Sequence, residues 1–138
     1  MSIEFKYLDS GIGFGFTARG NFSGKELIGV ASNAYRSGKA LRKNKYGIID
    51  YSSVEKFDVS NSDVQTIAEL SVEASKISPD RIIAVIANDN LSYGYSRMWE
   101  FLSNEISWER MVFRSKNEAE EWLKKRVMEK FNLPITIR

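Results

Sequence analysis

The sequence contains no cysteine and no histidine among its 138 residues. Without these residue types the chain can form no disulfide, no Ser-His-Asp or Cys-His catalytic group and no zinc site of the usual kind. An enzyme built from this chain would depend on carboxylate, Lys, Tyr or Ser chemistry, or on an all-oxygen magnesium or calcium site. The absence of cysteine also favours a cytoplasmic location, where thiols stay reduced.

Long apolar runs and a strong net charge are also missing. No run approaches the roughly 18–20 apolar residues of a membrane span. No signal peptide is predicted, because Glu4 and Lys6 interrupt the first apolar segment. The net charge is +2, so charge alone implies neither nucleic acid nor a membrane surface as a partner. A hydrophobic fraction of 43% predicts a single globular domain over residues 1–138.

The most informative segment is residues 81–105. An apolar run at 82–87 ends at a polar corner, Asn88-Asp89-Asn90, and a helical pattern begins at once. A run this short and this apolar predicts a central strand that helices cover. The polar corner follows the carboxyl end of the strand, which is where open α/β sheets usually bind ligands.

The remaining elements follow from apolar periodicity. Strands are predicted at 3–8, 12–18, 46–51, 82–87 and 106–114. Helices are predicted at 23–38, 60–77 and 91–105 and from 115 onward. In the third helix, Tyr95, Met98 and Leu102 are expected to lie on one face. The order β-β-α-β-α-β-α-β-α predicts an α/β fold, a single mixed sheet of about five strands that starts with a hairpin and has four helices. Residues 131–138 are predicted to form a short tail that covers an edge or hangs free.

Three motifs resemble a known family: GIIDY at 47–51, FDVS at 57–60 before a helix, and 84–100 with its Tyr-Gly-x-x-Arg-Met segment. With the element order, they make residues 3–124 similar to the STAS-like family of bacterial anti-sigma-factor antagonists, in the branch grouped with CRAL-TRIO-type lipid-exchange domains. The resemblance implies a noncatalytic regulatory domain. Such antagonists are switched by phosphorylation of a Ser directly after an Asp. Here Val59 separates Asp58 from Ser60, which displaces the acceptor by roughly 100° on a helical turn.

Six polar residues are the candidates for a ligand- or partner-binding site: Asp50, Ser52, Asn88, Asp89, Tyr93 and Arg97. They are expected to converge because two adjacent parallel strands end there and the third helix points its N-terminus there. Arg97 would clamp an anion or a partner's carboxylate. The alternative is that Arg97 pairs with Asp89, Asp58 or Glu100 and fixes the helix to the sheet.

Two further features have structural and functional interpretations. Ser60 is a doubtful phospho-acceptor, and the favoured role is an N-cap that pairs with Asp63. Residues 36–45 contain five cations and no acid. A solvated basic loop is favoured over a nucleic-acid surface, because no aromatic residues are interleaved as stacking platforms.

These observations favour a noncatalytic STAS-like regulatory domain that docks a protein partner near its second and third helices. The alternative is a domain that binds a small molecule or lipid head group at the carboxyl ends of the central strands, and an enzyme ranks third. No cofactor and no metal are expected, and a homo-oligomer is compatible with the sequence. A large apolar cavity under the third helix would favour the small-molecule interpretation.

Overall fold

The computed structural model describes residues 2–138 and contains one five-stranded sheet whose strands follow the sequence order, β1-β2-β3-β4-β5. The strands are β1 Ile3–Leu8, β2 Gly13–Ser23, β3 Tyr46–Asp58, β4 Ile82–Ile86 and β5 Glu109–Phe113. β1 pairs with β2 in antiparallel fashion, and each later pair is parallel. The predicted α/β fold, with one mixed sheet and an initial hairpin, is confirmed.

Helices cover both faces of the sheet. They are α1 Gly24–Ala34, α2 Gly38–Lys43, α3 Asn61–Ile77, α4 Asn90–Leu102 and α5 Lys116–Phe131. The helices α1 to α4 share one apolar core with the face of the sheet that carries Phe16, Tyr51 and Val85. The helix α5 packs on the opposite face, where Leu123 and Val127 meet Ile82 and other buried residues. None of the helices within residues 2–138 combines the length and apolar character that a membrane crossing needs.

β2 and β3 are longer than the predicted 12–18 and 46–51. They stay paired from Gly13 with Tyr46 to Ser23 with Asp58, whereas β4 pairs with β3 only as far as Asp50. Beyond that point only β2 borders β3. Residues 52–58 are rich in polar side chains because much of this arm faces solvent. A half-exposed strand with many polar residues lacks the apolar run by which a buried strand is recognised in a sequence.

The prediction of a loop across the basic stretch was wrong in part, because it contains the short helix α2. Ser37 caps this helix by accepting a hydrogen bond from the Ala40 amide at 3.2 Å, and Leu41 is buried against the first core. The fold therefore contains a fifth helix, of six residues, in addition to the four predicted ones. A helix this short shows no complete apolar repeat, so sequence periodicity cannot detect it.

The helix α4 buries part of the predicted apolar face, since Tyr95 is buried and Met98 packs partly buried against the first core. Its buried residues are Ser92, Tyr95, Ser96 and Trp99, whereas Leu102 is exposed. The buried hydroxyl of Ser96 donates to the Ser92 carbonyl at 2.8 Å, so it needs no partner outside the helix. Serines satisfied in this way can occupy a core-facing helical position at little cost. Trp99 and Trp108 are both core residues.

Ser60 is the N-cap of α3. Its hydroxyl accepts from the Asp63 amide at 3.1 Å, and the Asp63 carboxylate accepts from the Ser60 amide at 3.0 Å. This reciprocal pair confirms the capping role. We expect Ser60→Ala to lower the free energy of unfolding by about 0.5–2 kcal/mol. Urea unfolding measures this loss, and Ser62→Ala, at the exposed second position of the same helix, should change stability by less than about 0.5 kcal/mol.

The C-terminal tail, residues 132–138, is held against the rest of the protein. The Asp9 carboxylate accepts hydrogen bonds from the Tyr46 hydroxyl, from the Thr136 amide and hydroxyl, and from the Ile137 amide. The Asp9 amide donates to the Arg138 carbonyl at 2.7 Å. Ile135 is buried in the second core. The chain end is therefore held at the turn between β1 and β2 by the carboxylate and the amide of Asp9.

This carboxylate should make stability depend on acid. Burial acts to raise the pKa of Asp9, but hydrogen bonds from Tyr46 and Thr136 outweigh it, so the pKa lies below its ordinary value of 3.8. A folded-state pKa below the unfolded one stabilises the protein above about pH 4, and this contribution is lost as the pH falls through the folded-state pKa. We expect Asp9→Asn to be less stable at pH 7 and less sensitive to acid below about pH 4.

Urea unfolding over a pH series measures this dependence. Asp80→Asn, which changes an exposed carboxylate before β4, is the control and should keep the acid dependence of the wild type. An Asp9→Asn profile parallel to that of the wild type would contradict the role assigned to Asp9.

Candidate functional site

The polar residues at the carboxyl ends of the strands are satisfied mainly by close neighbours. The Asp50 carboxylate accepts from the amide and the hydroxyl of Ser52, at 2.8 and 2.6 Å. Asp89 caps α4 and accepts from the amide and the hydroxyl of Ser92, both at 2.8 Å. Burial acts to raise the pKa of Asp89, but the hydrogen bonds from Ser92 lower it further than burial raises it. Both carboxylates therefore stabilise their own segments.

Arg97 points away from these carboxylates. Its guanidinium forms an ion pair with Glu100, one turn along the same helix, at 3.2 Å, and its side chain is 61% exposed. Tyr93 lies under the guanidinium of Arg114, 4.4 Å from the ring centroid, and Asn88 is exposed. The pair of Arg97 with Glu100 agrees with the alternative prediction that Arg97 pairs with Asp89, Asp58 or Glu100. Among the described residues, no hydrogen bond or salt bridge joins Arg97 to Asp50, Ser52 or Asp89.

The strand order removes one reason for expecting a ligand at this corner. In open α/β sheets the binding crevice forms where the strand order reverses and neighbouring helices go to opposite faces. Here the order follows the sequence throughout, and the helices between the parallel strands all pack on one face. Nor do three acidic side chains cluster in a way that would hold a metal ion anywhere in residues 2–138. A ligand site at this corner stays a prediction.

A cavity lies elsewhere, between the sheet and the helices α1 to α4. It has a volume of about 70 Å³, and apolar side chains line most of it. Phe14, Phe16, Ile49 and Val85 form its floor on the sheet, and further apolar residues of the helices form its roof. The roof residues include Leu27, Val30, Ala31, Ala34, Leu41, Ile67 and Trp99. By volume the cavity exceeds the space of a single buried water.

Arg81 is the most unusual residue of the cavity wall. It lies just before β4, is 2% exposed, and its Nε and Nη1 atoms have no hydrogen-bond partner. Its guanidinium lies near two aromatic rings, 5.1 Å from the centroid of Trp108 and 5.7 Å from that of Phe14. Contacts of this kind offset part of the desolvation of a buried cation. They do not replace its hydrogen bonds.

A second wall residue also has unsatisfied polar groups. Asn44, just before β3, is 1% exposed, and neither its Nδ2 nor its Oδ1 has a hydrogen-bond partner. Buried side-chain polar groups of folded proteins are seldom left unpaired. The orphan atoms of Arg81 and Asn44 in one cavity therefore favour an occupant that carries polar atoms.

Arg110 is a half-buried arginine with a structural role, and it offers a comparison with Arg81. Its guanidinium lies 4.7 Å from the centroid of Trp99, much as Arg81 lies near Trp108. Unlike Arg81, it donates to the Ser103 hydroxyl at 2.6 Å and to the Ser103 carbonyl at 3.1 Å, at the end of α4. Both arginines lie against a tryptophan ring, Trp108 for Arg81 and Trp99 for Arg110, but only the guanidinium of Arg110 has hydrogen-bond partners.

No group of the cavity supplies a negative charge to balance Arg81. Burial raises the pKa of Tyr35, of Tyr51 and of Tyr95, so these phenols stay neutral at neutral pH. Burial lowers the pKa of Arg81, but a guanidinium keeps its proton in proteins. The cavity therefore combines an apolar wall with one unbalanced positive charge.

The sequence analysis did not identify these residues. Arg81 opens the segment 81–105, whereas the predicted site lies at the opposite, carboxyl end of the strand that follows it. The sequence feature that could have indicated Arg81 is its position directly before a fully apolar run, because residues next to a buried strand are often buried with it. Nothing in the sequence shows that Asn44 lies at the same cavity.

Comparison with protein-family models, curated proteins and solved structures gave no match to this chain. The resemblance to the STAS-like family therefore stays a prediction based on three motifs and the element order. A shared element order would in any case leave function open, because one fold serves many functions. The chemistry of the cavity is the basis for a functional conclusion.

Proposed function

We propose that this protein is a noncatalytic small-molecule-binding domain and that its site is the cavity between the sheet and helices α1 to α4. The observation that carries the proposal is the buried, unpaired polar atoms of Arg81 and Asn44 in an apolar wall. Binding sites of this kind are mostly apolar, with a few polar groups that fix the orientation of the ligand. The proposal moves the site from the predicted corner to the amino ends of β3 and β4.

Energetics support a ligand at this position. An uncompensated buried charge costs several kcal/mol, and each unsatisfied buried polar group costs about 1–3 kcal/mol. A chain with no use for Arg81 would be more stable with an apolar residue there. Proteins commonly retain such destabilising groups at binding sites, where a partner molecule satisfies them.

The polar groups of the wall favour binding over catalysis. Arg81 and Asn44 do not exchange protons near neutral pH. The hydroxyls of Ser71 and Ser96 donate to backbone carbonyls within their own helices, at 2.9 and 2.8 Å. No nucleophile in the wall lies against a base that could activate it, which is the arrangement that covalent catalysis needs.

Native mass spectrometry tests the proposal. Protein purified under native conditions should have a higher mass than the same protein after unfolding in denaturant and refolding, and solvent extraction should release the bound molecule. The refolded, ligand-free protein should have a lower thermal midpoint, which recovers when the extract is added back.

A cavity-filling variant locates the site. Ala31→Leu places a larger side chain in the cavity from α1, and Asn33→Leu places the same side chain on the exposed face of that helix. We expect Ala31→Leu to lose the bound mass and Asn33→Leu to keep it. Equal retention by the two variants would put the ligand elsewhere. Wild-type protein with no bound mass and no response to its own extract would contradict the proposed function.

A second candidate is the regulatory, protein-binding domain that the sequence predicts. The observation that favours it is the set of large apolar side chains exposed on α4, namely Leu91, Phe101 and Leu102. Phe101 is 73% exposed. Phe101 and Leu102 are neighbours at the end of α4, and exposed apolar groups that lie together commonly mark a protein contact surface. The occupant would be a protein partner that presents an apolar surface to α4.

Phe101→Ser distinguishes this candidate from ligand binding. The protein captured in stoichiometric amounts by the wild type should be lost with Phe101→Ser and retained with Tyr7→Ser, which changes an exposed aromatic residue of β1. The bound small molecule should be unaffected by Phe101→Ser. A partner retained by Phe101→Ser would exclude this face of α4.

A further inference from the structure

We propose that the ligand of the cavity is a small monocarboxylate with an apolar body and that its carboxylate lies against Arg81 and Asn44. This inference rests on the proposed function, since it names the chemical class of the molecule in the same cavity. It follows from the unbalanced charge of Arg81, from the size and chemistry of the wall, and from the basic surface beside the cavity mouth.

The charge of Arg81 calls for an anion. None of the ion pairs formed by residues 2–138 includes Arg81. Its neighbours in the cavity are aromatic rings and neutral polar groups, and the nearby tyrosines keep their protons. A negative group on the ligand would neutralise the guanidinium and accept hydrogen bonds from its unpaired nitrogens.

The wall favours a carboxylate over a phosphate. A carboxylate has two oxygens, which Arg81 and the amide of Asn44 have enough donors to satisfy. A phosphate carries more oxygens and more negative charge, and the cavity wall has one cation, Arg81, to balance that charge. Because the rest of the wall is mostly apolar, the remainder of the ligand should be a short hydrocarbon group that ends near Tyr95 or extends toward the mouth.

The cavity mouth lies beside cationic side chains. The lining residues that reach solvent include Tyr7 on β1 and Ala34, Tyr35 and Ala40 around the connection between α1 and α2. That connection and α2 carry the exposed cations Arg36, Lys39 and Arg42, and none of these has an ion-pair partner within residues 2–138. A cluster of free cations raises the local concentration of anions and speeds their entry. The basic stretch of the sequence thereby acquires a function.

Matched acids and amides test the ligand class. Ligand-free, ¹⁵N-labelled protein is titrated at constant ionic strength with butyrate and hexanoate, and separately with butyramide and hexanamide. The reporters are the Trp108 indole N–H, the Asn44 amide and the Arg81 Nε–H resonances. We expect hexanoate to bind at least tenfold more tightly than hexanamide and more tightly than butyrate, and to shift all three reporters.

Two variants assign the effect to one charge. Arg81→Met should weaken hexanoate binding at least tenfold and remove the preference for the acid over the amide. Arg19→Met removes the same charge from an exposed position on β2 and should keep both properties. If Arg81→Met does not fold, the comparison of acid and amide on the wild type decides the question.

The outcomes separate this inference from the proposed function. Equal binding of acids and amides would overturn the carboxylate and leave a neutral ligand in the same cavity. Loss of hexanoate binding in Arg97→Met, with normal binding in Arg81→Met, would return the site to the carboxyl ends of the strands. If none of the four probes shifts a reporter and native protein carries no bound mass, both proposals fail.

Discussion

Replacing Gly13 with alanine is expected to lower the free energy of unfolding by about 3 kcal/mol. Gly13 on β2 pairs with Tyr46 on β3, and the Tyr46 ring lies over the glycine, so an added Cβ would overlap the ring carbons. Tyr46 is fully buried, and its hydroxyl donates to the Asp9 carboxylate. The ring therefore has no space to move into without losing packing or this hydrogen bond.

Urea unfolding and thermal melting measure the effect, which corresponds to a fall of roughly 10 °C in the melting midpoint for a domain of this size. Gly29→Ala is the matched control. Gly29 lies within α1, and a Cβ added there meets nothing within 4 Å, so this change should stabilise the protein by about 1 kcal/mol through helix propensity.

A double variant tests the cause. If the clash with Tyr46 is responsible, Gly13→Ala combined with Tyr46→Leu should destabilise the protein by less than the sum of the two single changes. Strict additivity, or a Gly13→Ala protein within about 0.5 kcal/mol of the wild type, would show that the ring adapts. The same glycine and aromatic arrangement recurs on the other face, where Phe14 covers Gly47 and also lies near Arg81.

The fold could be predicted because its core elements repeat apolar residues at regular intervals. β4 is buried throughout, and α3 buries Val64, Ile67 and Ala68 at helical spacing, so period and length identify both elements. The errors arise where burial depends on neighbours. The end of β3 is polar because only one strand borders it. In α4, Trp99 is buried and Leu102 is exposed.

The candidate site was harder to predict for a physical reason. Whether Arg81 is a surface cation or a buried orphan depends on Trp108 and Phe14, which lie 27 and 67 positions away in the sequence and pack around it only in the fold. Polar satisfaction is a property of the three-dimensional neighbourhood, and one sequence does not reveal it. The corner residues form a recognisable sequence pattern because they are polar and close in sequence, and for the same reason they satisfy one another locally.

Replacing Arg81 with methionine is expected to raise the stability of the ligand-free protein by about 1–3 kcal/mol. The change removes a buried charge that has no ionic partner, and apolar replacement of buried ionic groups is often stabilising by about 1–4 kcal/mol. Some of the gain is lost with the aromatic contacts of the guanidinium. Methionine is long and flexible enough to fill the space between Trp108 and Phe14, and its sulfur interacts favourably with aromatic rings.

Arg110→Met is the control, because it is expected to change the free energy of unfolding in the opposite direction. Arg110 also lies against a tryptophan, but it donates to the hydroxyl and carbonyl of Ser103, so its loss leaves buried acceptors unpaired. Arg110→Met should therefore destabilise the protein by about 1–3 kcal/mol. Urea unfolding of refolded, ligand-free protein compares the two variants. If Arg81→Met were as destabilising as Arg110→Met, Arg81 would be a structural residue whose nitrogens ordered water satisfies, and the cavity would no longer require a ligand. Opposite signs would mean that the fold retains Arg81 at the expense of stability, as a binding site does when its partner molecule is absent.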